Sequence, residues 1–262
     1  MTRVRLGAVG YLNARPCVVG LDEHPRFDLR FDVPAQCARL LHERAVDVGL
    51  IPAIEYLRAP GEERYRIVPG VAIGSLGPVA SVAIYTRRSV SEIRSIALDS
   101  SSRTSVALTR VLCARAFGIQ PELVPSGPDL SAMLERCDAA LLIGDVALLT
   151  ERTTSLAKID LGETWTRMTG LPFVYAFWAG RADVLTAADV RSLQEARDAG
   201  VSQPEQVASA YYSDPALRAI GAQYLRDNIR YELGDAELDG LRLFFRYAAE
   251  LELVPAGELQ FY

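Results

Sequence analysis

Apolar positions in the first fifty residues switch repeatedly between a period of two and a helical period. VRLGAV (4–9) alternates as a strand, and NARPCVVGL (13–21) follows as a short helix. DLRFDVP (28–34) is again a strand, and residues 35–46 place Cys37, Leu40, Leu41 and Ala45 on one helical stripe. DVGLIP (47–52) is apolar enough for a buried strand, with a turn of helix after it in AIEYL. The order βαβαβ predicts a mostly parallel sheet covered by helices.

The same grammar recurs downstream. SIALD (95–99) is a strand, 102–117 a helix closed by Gly118, PELVPS a strand, DLSAMLERC a helix, and DAALLIGD (138–145) a strand leading into VALLT. ERAVDVGLIPAIEYL and ERCDAALLIGDVALL share one plan: helix end, Asp, apolar strand, small turn, helix. Two similar lobes are the economical reading. Two apolar strands, 79–86 and 172–180, leave and re-enter the first lobe and would form a double hinge. The fold class is therefore α/β with two lobes, their mixed, mostly parallel sheets joined by the two crossing strands, lobe one being 1–83 plus 178–262 and lobe two 84–177. The C-terminal third is helical, with starts at Thr186–Asp189, Ser202–Pro204 and Asp214–Pro215, and it is expected to pack on lobe one.

Composition narrows the partners. Half of the 262 residues are apolar and 23% are charged, an ordinary globular profile. A net charge of −5 disfavours nucleic acid or an anionic membrane as partner. No run reaches the ~18 apolar residues of a membrane span, and the N-terminus lacks the features of a secretory signal, so a cytoplasmic protein is expected. Cys17, Cys37, Cys113 and Cys137 lie far apart in apolar stretches and read as free buried thiols. His24 and His42 have no partner at ligand spacing, so no metal is expected. There is no P-loop, GxGxxG or histidine triad, and no cofactor is expected.

Ligands of open α/β lobes bind at the carboxyl ends of parallel strands, where helix N-termini point. Four such turns stand out: Tyr11-Leu12-Asn13, Ile51-Pro52, Ser100 to Ser105, and Gly144-Asp145. DSSSRTS (99–105) carries more hydroxyls than one helix cap needs, which suits an anion. Arg103 fits either a carboxylate fork or a surface salt bridge. Ser81 fits either a cleft-facing or a structural hydroxyl, and Asp145 could cap its own helix. Glu55 and Tyr56 read as surface and packing residues, and Trp178 as core or cleft wall. The residues alone lead to a two-lobed cleft protein for a small carboxylated molecule.

The motifs GYLNARP, DVGLIPAIEYL, GPVASVAIYT, LDSSSRTSVALTRVL, DAALLIGDVAL and the ending YLRDNIRYELGDAELDGLRLFFRYAAELELV together resemble the chorismate dehydratase family of the futalosine route to menaquinone, over residues 4 to about 254. That resemblance implies a type II periplasmic-binding-protein-like fold and loss of water from chorismate, giving 3-[(1-carboxyvinyl)oxy]benzoate. It implies a central polar role for Asn13 and carboxylate binding by Ser102, Thr104 and Ser105, with Arg103 beside them. Tyr11, Pro52, Ser81, Gly144 and Asp145 would add substrate contacts, and Arg15 would be structural. The enolpyruvyl carboxylate of the substrate would accept the proton, so a histidine base is not required. The alternatives are the 1,4-dihydroxy-6-naphthoate synthase of the same pathway, associated with a histidine-containing site, and a non-catalytic carboxylate-binding protein.

Overall fold

The computed structural model describes residues 3–60, 64–150 and 154–262; residues 1–2, 61–63 and 151–153 of the expected lobes lie outside the described residues. The chain builds β1 (Val4–Val9), β2 (Phe27–Asp32), helix α1 (Pro34–His42), β3 (Val48–Pro52) and β4 (Tyr65–Ser75). It then crosses to β5 (Val82–Thr86), β6 (Ser95–Asp99), α2 (Thr104–Leu112), β7 (Glu122–Ser126), α3 (Leu130–Arg136), β8 (Ala139–Ile143), α4 (Gly144–Thr150), β9 (Ala157–Asp160) and α5 (Leu161–Thr169). It returns through β10 (Phe173–Arg181) and ends in α6 (Ala187–Val201), α7 (Pro204–Tyr211), α8 (Pro215–Asp227) and α9 (Asp235–Glu250).

Among the described residues the strands form two sheets, ordered β2-β1-β3-β10-β4 and β7-β6-β8-β5-β9. The two orders are equivalent. In each, three parallel strands are followed by one antiparallel strand, β10 in the first and β5 in the second. That antiparallel strand is the first one after a crossing and the other four strands of its sheet run one way, so the sheets are mixed and mostly parallel, as the fold class expects. β3 and β8 bury every residue, as strands covered on both faces do, whereas the edge strands β2 and β7 are partly exposed.

Each apolar crossing strand belongs wholly to one sheet, so the sheets exchange chain at 76–81 and 170–172. These points lie a few residues before the limits of 83/84 and 177/178 read from the sequence, because strand hydrophobicity marks the sheet and not the hinge. β4, β9 and α5 carry no separate expectation from the sequence. β4 is interrupted by Pro69 and Gly70, which hides its period, and Gly70 sits at φ +77.

The first crossing is held tightly. Ala80 adopts φ +64, a costly conformation for a residue with a Cβ. The Asp160 carboxylate fixes it by accepting the Val79 and Ala80 N–H groups at 3.1 and 2.7 Å. The second crossing is held by aromatics: Trp165 of α5 stacks edge-on against Phe173 of β10 at 5.2 Å and donates Nε1–H to Pro172 O at 3.1 Å. Phe244 of α9 completes the cluster, 4.9 Å from Phe173.

The C-terminal helices cover the first lobe as expected. Thr186 and Asp189 form a reciprocal capping box on α6, and Asp214 caps α8. α6 packs on the 3-10 turn Leu12–Val18 and on β4, and α9 on β10 and α2. The four cysteines are buried and unpaired. Glu55 is not a surface residue. It is 8% exposed, with His42 Nε2 at 3.2 Å and the Arg58 guanidinium at 2.7 Å.

Candidate active site

The parallel strands of both lobes end on one cleft, and the helical turns after them start there. β1 delivers Tyr11 and Asn13, β3 delivers Pro52, β6 delivers the turn into α2, and β8 delivers Gly144. Those turns enclose a cavity with about 520 Å³ of empty space, counted out to its open mouth. Polar groups come from Tyr11, Asn13, Ser102, Thr104, Ser105 and Tyr175. Apolar walls come from Val9, Pro34, Ile73, Val79, Val82 and Ile143. Among the described residues no charged side chain lines it, so an anionic ligand would depend on hydroxyls, amides and helix N-termini.

The hydroxyls of the 99–105 turn divide their work. Asp99 shapes the turn by accepting the Ser101 N–H at 2.9 Å and its Oγ–H at 2.6 Å. Ser102 Oγ accepts the Ser105 N–H at 3.2 Å, which caps the start of α2. Thr104 Oγ1 reaches across to accept the Ile54 N–H of the first lobe at 3.3 Å. The Ser105 hydroxyl has no protein partner among the described residues, although the residue is buried and faces the cavity. A single serine would have served the cap, and Ser105 is the surplus donor.

The lobes also touch through Tyr11, whose hydroxyl bonds Ser101 Oγ at 3.2 Å, and through Ala35 N–H to Ser101 O at 3.1 Å. The Tyr11 ring rests on Gly144, which adopts φ +62. The Asp145 carboxylate accepts the Leu12 N–H at 3.3 Å and the Tyr211 hydroxyl. Burial lifts the Asp145 carboxyl above its ordinary value, opposed by the Tyr211 and Leu12 hydrogen bonds and by the Arg15 charge. Asp145 is thus a link between lobes and does not line the cavity.

Two further candidates stand outside the cavity lining. Arg103 stays out of the cavity: its side chain is exposed and borders outer grooves beside Ser100 and Arg110. It stands just before α2, and there its side chain points away from the cleft. Ser81 is 1% exposed and lies behind the wall, where its Oγ accepts the Tyr224 hydroxyl at 2.6 Å and its carbonyl accepts the Gly144 N–H at 2.8 Å. Trp178 is core, fully buried in β10. Arg15 packs its guanidinium 4.1 Å over Phe31 and 5.1 Å from the Tyr211 ring, outside the cavity.

Tyr175 and Tyr224 carry no expectation from the sequence. Tyr175 stood in view within PFVYAFWAG, in a strand whose continuous apolarity hid which face meets the cleft. Its hydroxyl lies 3.3 Å from Ser75 Oγ. Neither histidine joins the cavity; His42 Nδ1 lies 2.9 Å from the Tyr65 hydroxyl and His24 occupies a surface loop.

Two equivalent α/β sheets, exchanged strands and a cleft between strand ends define a protein of the periplasmic-binding-protein-like class. The chain is similar in fold to protein AF1704 of Archaeoglobus fulgidus, with TM-score 0.76 and 17% identity over 96% of this chain and 98% of that one. It is also similar to the alkanesulfonate-binding protein SsuA of Xanthomonas axonopodis, with TM-score 0.69 and 15% identity over 98% and 95% of the two chains. Residues 4–250 match the family model described as menaquinone biosynthesis, and the chain belongs to that family. It is 30% identical to the chorismate dehydratase of Thermus thermophilus, over 88% of this chain and 94% of that protein.

Proposed function

We propose that the chain is a chorismate dehydratase that acts in the cavity between its lobes. The observation that carries this reading is the match to a named chorismate dehydratase along 88% of the chain, joined to a cavity lined by Asn13 and by the unpartnered hydroxyl of Ser105. Chorismate would lose the hydroxyl from C4 and the proton from C3, releasing one water and leaving an aromatic ring, 3-[(1-carboxyvinyl)oxy]benzoate. Aromatisation supplies driving force, so positioning and polar stabilisation are the main tasks left to the protein.

In this reading Asn13 orients the substrate hydroxyl region, and Ser105 with the N-terminus of α2 receives a carboxylate. Ser102 and Thr104 shape that receptor through the bonds they already make. The substrate's own enolpyruvyl carboxylate takes the C3 proton and passes it to the departing hydroxyl. The apolar wall keeps water from competing for these groups. The reaction would belong to the futalosine route in the cytoplasm.

The test is incubation of the purified protein with chorismate, without added metal or cofactor, and chromatography of the products. An aromatic product one water lighter supports the reading. Chorismate that stays bound and unchanged would leave a binding protein instead.

A further inference from the structure

Tyr175 and Ala176 of β10 both line the cavity, although consecutive residues of a regular strand point to opposite faces. A β-bulge resolves the conflict. Val174 pairs with Gly74 and Ala176 with Ile73, so Tyr175 is an extra residue with no partner on β4. Bulges of this kind re-aim a side chain. Ala176 stands between Pro52 of β3 and Ile73 of β4, and both of these line the cavity too. The bulge therefore adds an aromatic ring to an apolar row that crosses three strands.

The Tyr175 side chain is held from behind. Its hydroxyl lies 3.3 Å from Ser75 Oγ and rests against Gly162, where a Cβ would stand 2.7 Å from it and 2.8 Å from Gly77 O. Ser75, Gly77 and Gly162 are all outside the cavity lining, so the hydroxyl sits beyond the wall. Phe173 braces the ring from the core, edge-to-face with centroids 4.8 Å apart. What Tyr175 leaves for the cavity is a fixed aromatic ring.

The geometry points to Tyr175 as a specificity-determining residue: its ring, continued by Pro52, Ala176 and Ile73, is the wall that receives a planar ring of the ligand. The ligand class is a small carboxylate carrying a flat, unsaturated ring, with its charge met at Ser105 and the start of α2. Aromatic rings attract each other beyond the area they bury, so a flat ring outbinds a puckered one of similar size. The kinetic consequence rests on the proposed dehydration, whereas the preference for a flat ring does not. In that reaction the chorismate ring flattens as it becomes aromatic, so the wall favours the transition state over the substrate.

The experiment is calorimetric titration with benzoate and with cyclohexanecarboxylate, which carries the same charged group on a puckered, saturated ring. The wild type should bind benzoate about threefold to tenfold more tightly. Tyr175→Leu should bring the two affinities together, and Tyr175→Phe, which keeps the ring, should keep the preference. A residue needed only for folding would not shift this ratio. With chorismate, Tyr175→Leu should lower kcat about threefold to tenfold. Equal affinities in the wild type, no binding of either probe, a preference that survives Tyr175→Leu, or an unchanged kcat in a protein that turns chorismate over would each overturn the inference. If Tyr175→Leu does not fold, a crystal structure of the wild type with benzoate decides. A benzoate ring within about 7 Å of the Tyr175 ring, centroid to centroid, supports the inference, and one bound elsewhere overturns it. If the wild type leaves chorismate untouched, the proposed reaction fails and the benzoate measurements alone decide the role of Tyr175.

Discussion

The ring of Tyr11 lies flat against Gly144 of the opposite lobe, so close that a Cβ on the glycine would stand 2.9 Å from Cδ2. Two separate demands meet at this glycine: room for the ring and a backbone at φ +62. Gly144→Ala is expected to prise the lobes apart at the cleft and to add strain of about 1–2 kcal/mol. Small-angle scattering should record a larger radius of gyration than for the wild type. An unchanged radius would mean that this contact does not set the closed shape.

The serines of the 99–105 turn should separate binding from stability. Ser105→Ala removes the hydroxyl left free for a ligand, and affinity should fall about tenfold or more if that ligand is charged. Melting should hardly change. Ser102→Ala removes the oxygen that accepts the Ser105 N–H, and should cost about 1 kcal/mol of stability. Calorimetric titration and melting curves on the same pair of variants check both halves.

Arg103 gives the opposite test. Because its side chain lies outside the cavity, Arg103→Ala should keep ligand affinity within about twofold, as removal of an exposed charge does. A large loss of affinity would return Arg103 to the binding site.

Asp145 should reveal itself through pH. The folded protein holds its proton more tightly than the unfolded chain does, because burial raises the carboxyl's pKa. Ionising it therefore costs stability, a cost absent below the ordinary carboxylate range and complete above the raised value. Asp145→Asn removes that cost. Its melting temperature relative to wild type should rise as pH climbs from the ordinary carboxylate range to the raised value. A difference independent of pH would contradict the account.

Much of this was legible in the chain because buried parallel strands are written as apolar runs. DVGLIP and DAALLIGD marked β3 and β8, and the turns after them marked the cleft. The chemistry at those turns was readable only as surplus: Ser102 is a cap, and Ser105 is what the cap does not use. What stayed hidden depends on distant contacts. Neither Asp145 nor Leu12 signals in sequence that a carboxylate will cross the cleft to a backbone N–H. Tyr224 sits in an unremarkable helix, and only packing brings its hydroxyl to Ser81. Arg103 misled because its neighbours face the cavity and its own side chain faces outward.

The central claim is that this cleft removes water from chorismate around Asn13. The most direct measurement is turnover of chorismate by the wild type and by Asn13→Asp, side by side, with melting temperatures recorded for both. The account predicts an aromatic product from the wild type, and a variant that melts close to it but loses turnover about a hundredfold, as misplaced polar groups do. Chorismate unchanged by the wild type, or equal turnover by the variant, would contradict it.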